Sequence, residues 1–144
     1  MISKEKKRFF IETFGCQMNV NDSEKVAGLL MADGYEAVAS AGAADFVFVN
    51  TCAVREKAQE KLYSSLGRLR RLRQRGSRAD LRIGVGGCVA QLHGEEIQAR
   101  APEIDVLVGT HTIARIPELL RGTVADRKPR VDLDRRADPF AVPA

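Results

Sequence analysis

No stretch of these 144 residues approaches the roughly 20 apolar residues that a membrane helix needs. The opening MISKEKKRFF carries charge but no apolar h-region, so it is not a secretory signal. Cysteine is scarce: there are three, Cys16, Cys52 and Cys88, each 36 positions from the next (52−16 and 88−52). No CxxC pair occurs, although structural zinc sites and dithiol redox centres favour one. An odd number of thiols without an export signal argues against a disulfide framework and points to the reducing cytoplasm. A content of 44% hydrophobic and 29% charged residues argues against disorder. The length suits one domain with a real core. A net charge of +4 is a mild basic excess, compatible with a nucleic-acid partner but not diagnostic of one.

What the sequence does contain is an alternation of strand and helix patterns. RFFIETF (8–14), DFVFVNT (45–51), LRIGVGG (81–87) and IDVLVG (104–109) are apolar runs of the kind that form buried strands. YEAVA (35–39) is a weaker one. Between them lie helical patterns. NDSEKVAGLLMADG begins with Asn21 and Glu24, a capping-box spacing, and stops at Gly34. A long pattern from about Val54 to Arg75 puts Leu62, Leu66, Leu69 and Leu72 on one side and ends at Gly76. AQLHGEEIQARAP stops at Pro102, and TIARIPELLRG closes the series. Strands alternating with helices predict βαβ units and right-handed crossovers. The expected fold is therefore α/β: a doubly wound, mostly parallel sheet of about five strands with helices on both faces. Residues 1–122 form the expected domain. Residues 123–144 carry scattered charge and three prolines, and read as a linker or the start of another module.

Each cysteine follows a predicted strand and precedes a predicted helix. Parallel strands end on one edge of a sheet, where open α/β folds bind ligands. Helix N-termini there favour thiolates and anions. A single cysteine at a strand end is most often a small buried hydrophobe. Three at equivalent strand ends point to a shared site. His93 or His111 is available as a fourth zinc ligand, but a lone surface histidine is the simpler reading of each. Iron–sulfur clusters normally take four cysteines, so three would leave one iron open.

Other signals are weaker. GVGG (84–87) resembles part of a phosphate loop but lacks the rest, and close packing explains it better. Gln17, Asn19 and Asn50 are candidates to line the site or to cap and turn. RLRRLRQRGSR (68–78) holds six arginines, suited equally to RNA phosphates and to the solvated end of a helix. Arg70, Arg71 and Arg73 are its candidate phosphate contacts. The two 36-residue steps have different flanks and mark no repeat.

TFGCQMN, NTCAVREKAQEK and GGCVAQ, in this order and spacing, resemble the N-terminal domain of the radical-SAM methylthiotransferases. RAPEIDVLVGT followed by IPELL continues the likeness, which covers about residues 8–121. The resemblance implies a flavodoxin-like fold and an auxiliary [4Fe–4S] cluster held by Cys16, Cys52 and Cys88, which supplies or carries sulfur. Gln17-Met18-Asn19 is similar to the branch that adds a methylthio group to carbon 2 of isopentenyl-adenosine beside the tRNA anticodon. Related branches have Pro-Lys-Asn or Lys-Val-Asn there. The resemblance further implies a second [4Fe–4S] cluster and S-adenosylmethionine, bound through a CxxxCxxC motif, and an RNA-binding module. No cysteine follows Cys88. This chain is thus expected to hold no radical-generating catalytic residue and to be inactive alone. It would act cytoplasmically, on the tRNA anticodon stem-loop, with those modules and no membrane. A structural zinc-binding domain and a thiol-redox module remain the alternatives from the residues alone.

Overall fold

The computed structural model describes residues 7–14, 17–51, 56–74, 81–109, 112–125 and 130–132. The strands are β1 (Arg8–Phe14), β2 (Glu36–Ala37), β3 (Phe46–Thr51), β4 (Arg82–Gly87), β5 (Val106–Val108) and β6 (Arg130–Asp132). The helices are α1 (Gln17–Ala32), α2 (Glu56–Gln74), α3 (Cys88–Arg100) and α4 (Ile116–Ala125). The six strands pair in the order β2-β1-β3-β4-β5-β6, every pair parallel. The first five follow the flavodoxin-like order of doubly wound sheets.

Both faces of the sheet are apolar, and alternation along each strand sorts the side chains. Val47, Val49, Ile83, Val85 and Leu107 pack with Leu62, Leu66 and Leu69 of α2 and Ile97 of α3. Phe9, Phe46, Phe48, Val106 and Val108 pack with Val26 and Leu30 of α1 and Ile116 and Leu120 of α4. On that second face β4 contributes Gly84 and Gly86. A Cβ on Gly84 would lie 2.7 Å from the Phe46 ring, and one on Gly86 would lie 2.5 Å from the Phe48 ring. The two rings, 6.4 Å apart, fill the space those glycines leave. Close packing thus accounts for GVGG.

The expected strands all appear, although β2 shrinks to an exposed two-residue edge. Three boundaries differ from expectation. Helix α1 begins at Gln17, so Asn21 lies inside it and caps nothing. Its other end matches: Gly34 has φ +99, Gly34 N–H donates to Met31 O at 3.1 Å, and Tyr35 N–H donates to Leu30 O at 2.9 Å, a Schellman motif. Helix α3 begins at Cys88 rather than Ala90 and ends before Ala101, whose helical conformation Pro102 disfavours. Gly76 lies outside the described residues.

The third difference is at the end of the chain. Helix α4 runs to Ala125, past Gly122, and Arg130–Asp132 joins the sheet as a sixth strand beside β5. Because α4 packs on the face of α1, the β5-α4-β6 connection is left-handed, against the usual rule. Burial supplies the reason. Helix α1 reaches only part of that face, and without α4 the side chains of Val106 and Val108 would meet water.

At the amino edge of the sheet one carboxylate joins three elements. Asp105 Oδ2 accepts from Ile83 N–H at 2.9 Å and from Arg73 of α2, also at 2.9 Å. Arg73 donates as well to Glu103 O at 2.7 Å. Asp105→Ala strands a buried N–H and a mostly buried guanidinium. A loss of about 2–3 kcal/mol is expected, read as a lower urea midpoint at unchanged m-value.

Candidate functional site

The last residues of the three central strands stand side by side. Phe14 of β1 pairs with Thr51 of β3, and Thr51 pairs with Gly87 of β4. At ~4.8 Å between strands the row is about 10 Å across. In the sequence Cys52 follows Thr51, Cys88 follows Gly87, and Cys16 is the second residue after Phe14. Cys16 and Cys52 lie outside the described residues. Cys88 is the first residue of α3, with Gly87 as N-cap. Its side chain, like those of Gln17, Asn19 and His93, is not among those described; Gln17 and Asn19 fall in the first turn of α1. His111 also lies outside the described residues.

Gly87 makes the turn from strand to helix. Its φ is +105, and a Cβ there would run into the Thr51 carbonyl and lie 2.6 Å from Asn50 Oδ1. The backbones of β3 and β4 approach here as only glycine allows.

Just beneath the row is a buried polar network. Asn50 is fully buried and donates through Nδ2 to Ser23 Oγ at 3.0 Å, and Ser23 Oγ and Thr13 Oγ1 are 2.7 Å apart. These bonds tie β3 to α1 and α1 to β1. Asn50 therefore fixes the relative positions of the elements that form the row.

Thr51 is the residue that sequence reasoning missed. It is fully buried, and its Oγ1 has no hydrogen-bond partner among the described residues. The other buried polar side chains of that set, Ser23, Asn50, Ser65, Asp105, Thr112 and Thr123, are each bonded. An orphaned buried hydroxyl costs about 1–3 kcal/mol. The signal was present in DFVFVNT, where Asn50 and the Thr51 hydroxyl close an apolar run immediately before a cysteine.

The arginine run lies elsewhere. Helix α2 returns antiparallel to the strands, and Arg73 reaches Asp105 at the amino edge, roughly 20 Å from the row for six residues at ~3.3 Å each. Both ends of the described run are engaged. Arg68 pairs with Glu12 at 3.3 Å, a carboxylate that also accepts from Ser65 Oγ, and Arg73 pairs with Asp105 and is only 19% exposed. Arg70 and Arg71 are exposed, with Glu103 Oε1 4.0 Å from Arg70.

The titration shifts among the described residues fall away from the row. Burial raises the pKa of Tyr35 and Tyr63, and the hydrogen bond from Arg115 lowers that of Glu118. Among the described residues no group of three or more His, Cys, Asp or Glu side chains is placed to hold a metal. No helix among them is long and apolar enough to cross a membrane.

A family model described as "Uncharacterized protein family UPF0004" matches residues 8–109, from the first residue of β1 to just past β5. The chain belongs to this family. The matched UPF0004 region contains the whole strand-end row and all three cysteines. Among curated relatives, one from Delftia acidovorans is 53% identical over 128 residues, covering 88% of this chain and 28% of that protein. One from Geobacter metallireducens is 47% identical over 142 residues, covering 92% of this chain and 32% of that protein. Both carry the name tRNA-2-methylthio-N(6)-dimethylallyladenosine synthase. This UPF0004 chain thus spans about a third or less of the length of these relatives.

Two glycines separate the row from ordinary helix surface. Gly87→Ala should lose at least about 2 kcal/mol in urea unfolding, from positive φ and backbone overlap together. Gly28, exposed on α1 with nothing within 4 Å of its missing Cβ, should gain about 0.5–1 kcal/mol as alanine.

Proposed function

We propose that this chain is the cluster-holding N-terminal unit of a tRNA methylthiotransferase, in which Cys16, Cys52 and Cys88 bind an auxiliary [4Fe–4S] cluster. The observation that carries this reading is the register Phe14–Thr51–Gly87, which aligns the three strand ends that the cysteines follow. The names of the relatives add the reaction class and substrate: methylthio transfer to N(6)-dimethylallyladenosine in tRNA.

The residues fit such a group chemically. Soft thiolates suit iron. Cys88 opens a 13-residue helix, where the dipole and free N–H groups favour a thiolate. The orphaned Thr51 hydroxyl is a donor in search of an acceptor. When bound, a cluster held by three cysteines offers one iron without a protein ligand, an exchangeable position for sulfur. The protein's own part is to hold and orient. Gly87 lets β4 turn directly into α3, and the Asn50–Ser23–Thr13 network keeps β1, α1 and β3 in register beneath the strand-end row. Radical generation from S-adenosylmethionine, with a second [4Fe–4S] cluster, and the main grip on the anticodon stem-loop belong to further modules of the longer enzyme. The setting is the cytoplasm.

Cys52→Ala should abolish stable cluster binding and leave far-UV circular dichroism nearly unchanged. The check is iron and acid-labile sulfide in anaerobically prepared protein. Full iron and sulfide in the variant would contradict the assignment, and zinc in place of iron in the wild type would replace it.

Arg70 and Arg71 are the proposed tRNA-backbone contacts of this chain. Arg73 belonged to the same expectation, but its pairing with Asp105 makes it an unsuitable probe. In the longer enzyme, Arg70→Gln with Arg71→Gln should weaken tRNA binding and reduce the salt slope by about two units, one per lost phosphate contact. An unchanged slope across a salt series would leave the run as a solvated helix face.

A further inference from the structure

Among the described residues, one buried hydroxyl is accounted for by neither the fold nor three-thiolate ligation: that of Thr51. Valine fills the same shape, and Val47 and Val49 occupy the preceding positions on the same face of β3. A hydroxyl at Thr51 is fully buried and unbonded among the described residues. Buried hydroxyls in native proteins have partners. Thr51 sits in the middle of the strand-end row, between Phe14 and Gly87, and its side chain lies on the face where α2 and α3 begin. It immediately precedes Cys52.

Resting on the cluster reading above, we propose that Thr51 Oγ1–H donates a hydrogen bond to a sulfur of the bound cluster or of its cysteine ligands, and thereby sets the cluster's reduction potential. Thr51 is a positioning and tuning residue. It does not ligate iron. The physical basis is charge. Reduction adds an electron to an already anionic group, and a donor aimed at its sulfur stabilises the more negative state. In a buried setting, where water does not compete, that bond is stronger than at a surface. The same bond supplies the missing acceptor for the hydroxyl, so the orphan exists only in the cluster-free chain.

The test compares the wild type with Thr51→Val and Thr51→Ser, each purified anaerobically and reconstituted with iron and sulfide. Three readouts are taken: iron and sulfide per chain, midpoint potential by EPR-monitored titration, and melting temperature before and after loading. Thr51→Val should melt higher than wild type without the cluster, because the orphan is gone. It should gain less on loading and titrate at a more negative potential. Thr51→Ser should restore the wild-type potential. Lower iron uptake by the valine variant, recovered by serine, carries the same conclusion through affinity. A loaded valine variant with wild-type potential and wild-type thermal gain overturns the inference while leaving the cluster in place. A wild-type chain that takes up no iron and sulfide overturns the cluster reading, and this inference with it.

Discussion

The rings of Phe46 and Phe48 lie over Gly84 and Gly86, and that match of large against absent side chains fixes how β3 and β4 run beside each other. A slip of one residue in either direction would set Val85 under one of the rings and turn every side chain of the slipped strand to the other face. With the register held, Thr51 must face Gly87, and the Gly87 backbone can close on Thr51. The strand ends, the start of α3 and the buried network under Asn50 all follow from this packing inside the sheet. The candidate site is therefore set by a core that contains no functional group.

The sheet divides the molecule electrostatically as well as geometrically. At the carboxyl edge the α3 N-terminus gathers partial positive charge from the backbone. At the amino edge the tail of α2 carries arginines, and part of that charge is spent on Asp105 and Glu103. A negative group at the first edge and a phosphate backbone at the second would not compete for the same residues. The run also packs the helix: Arg73 anchors α2 across the start of β5, and Arg68 anchors it to β1 through Glu12.

Continuous apolar runs bounded by polar residues were legible in the sequence, because a strand buried on both faces has no alternative pattern. The boundaries of β1, β3 and β4 fall within a residue of the runs themselves. The Gly34 stop was legible because positive φ there needs glycine. The starts of α1 and α3 were not. Both helices leave the sheet edge almost at once, so tertiary connection rather than a capping side chain sets their first residue. The strand β6 was hidden in a stretch without periodicity, since three residues are too few to show one. At the site, residue types and strand-end placement pointed to the cysteines. The structural use of Arg73 and the isolation of the Thr51 hydroxyl depend on partners 30 or more residues away or on the lack of any, which a local pattern does not report.

The order of strands in the sheet is not their order along the chain, and this governs when the row comes into being. β1 must wait for β3, whose residues emerge more than thirty positions later, and β4 follows after the whole of α2. Pairings of such long range are slow to form and complete only late in synthesis. Until Gly87 has left the ribosome and joined β3, the nascent chain lacks the complete row of strand ends. Any partner that recognises that edge meets it only after most of this domain has been made. The cluster proposed for that edge would accordingly be inserted after folding.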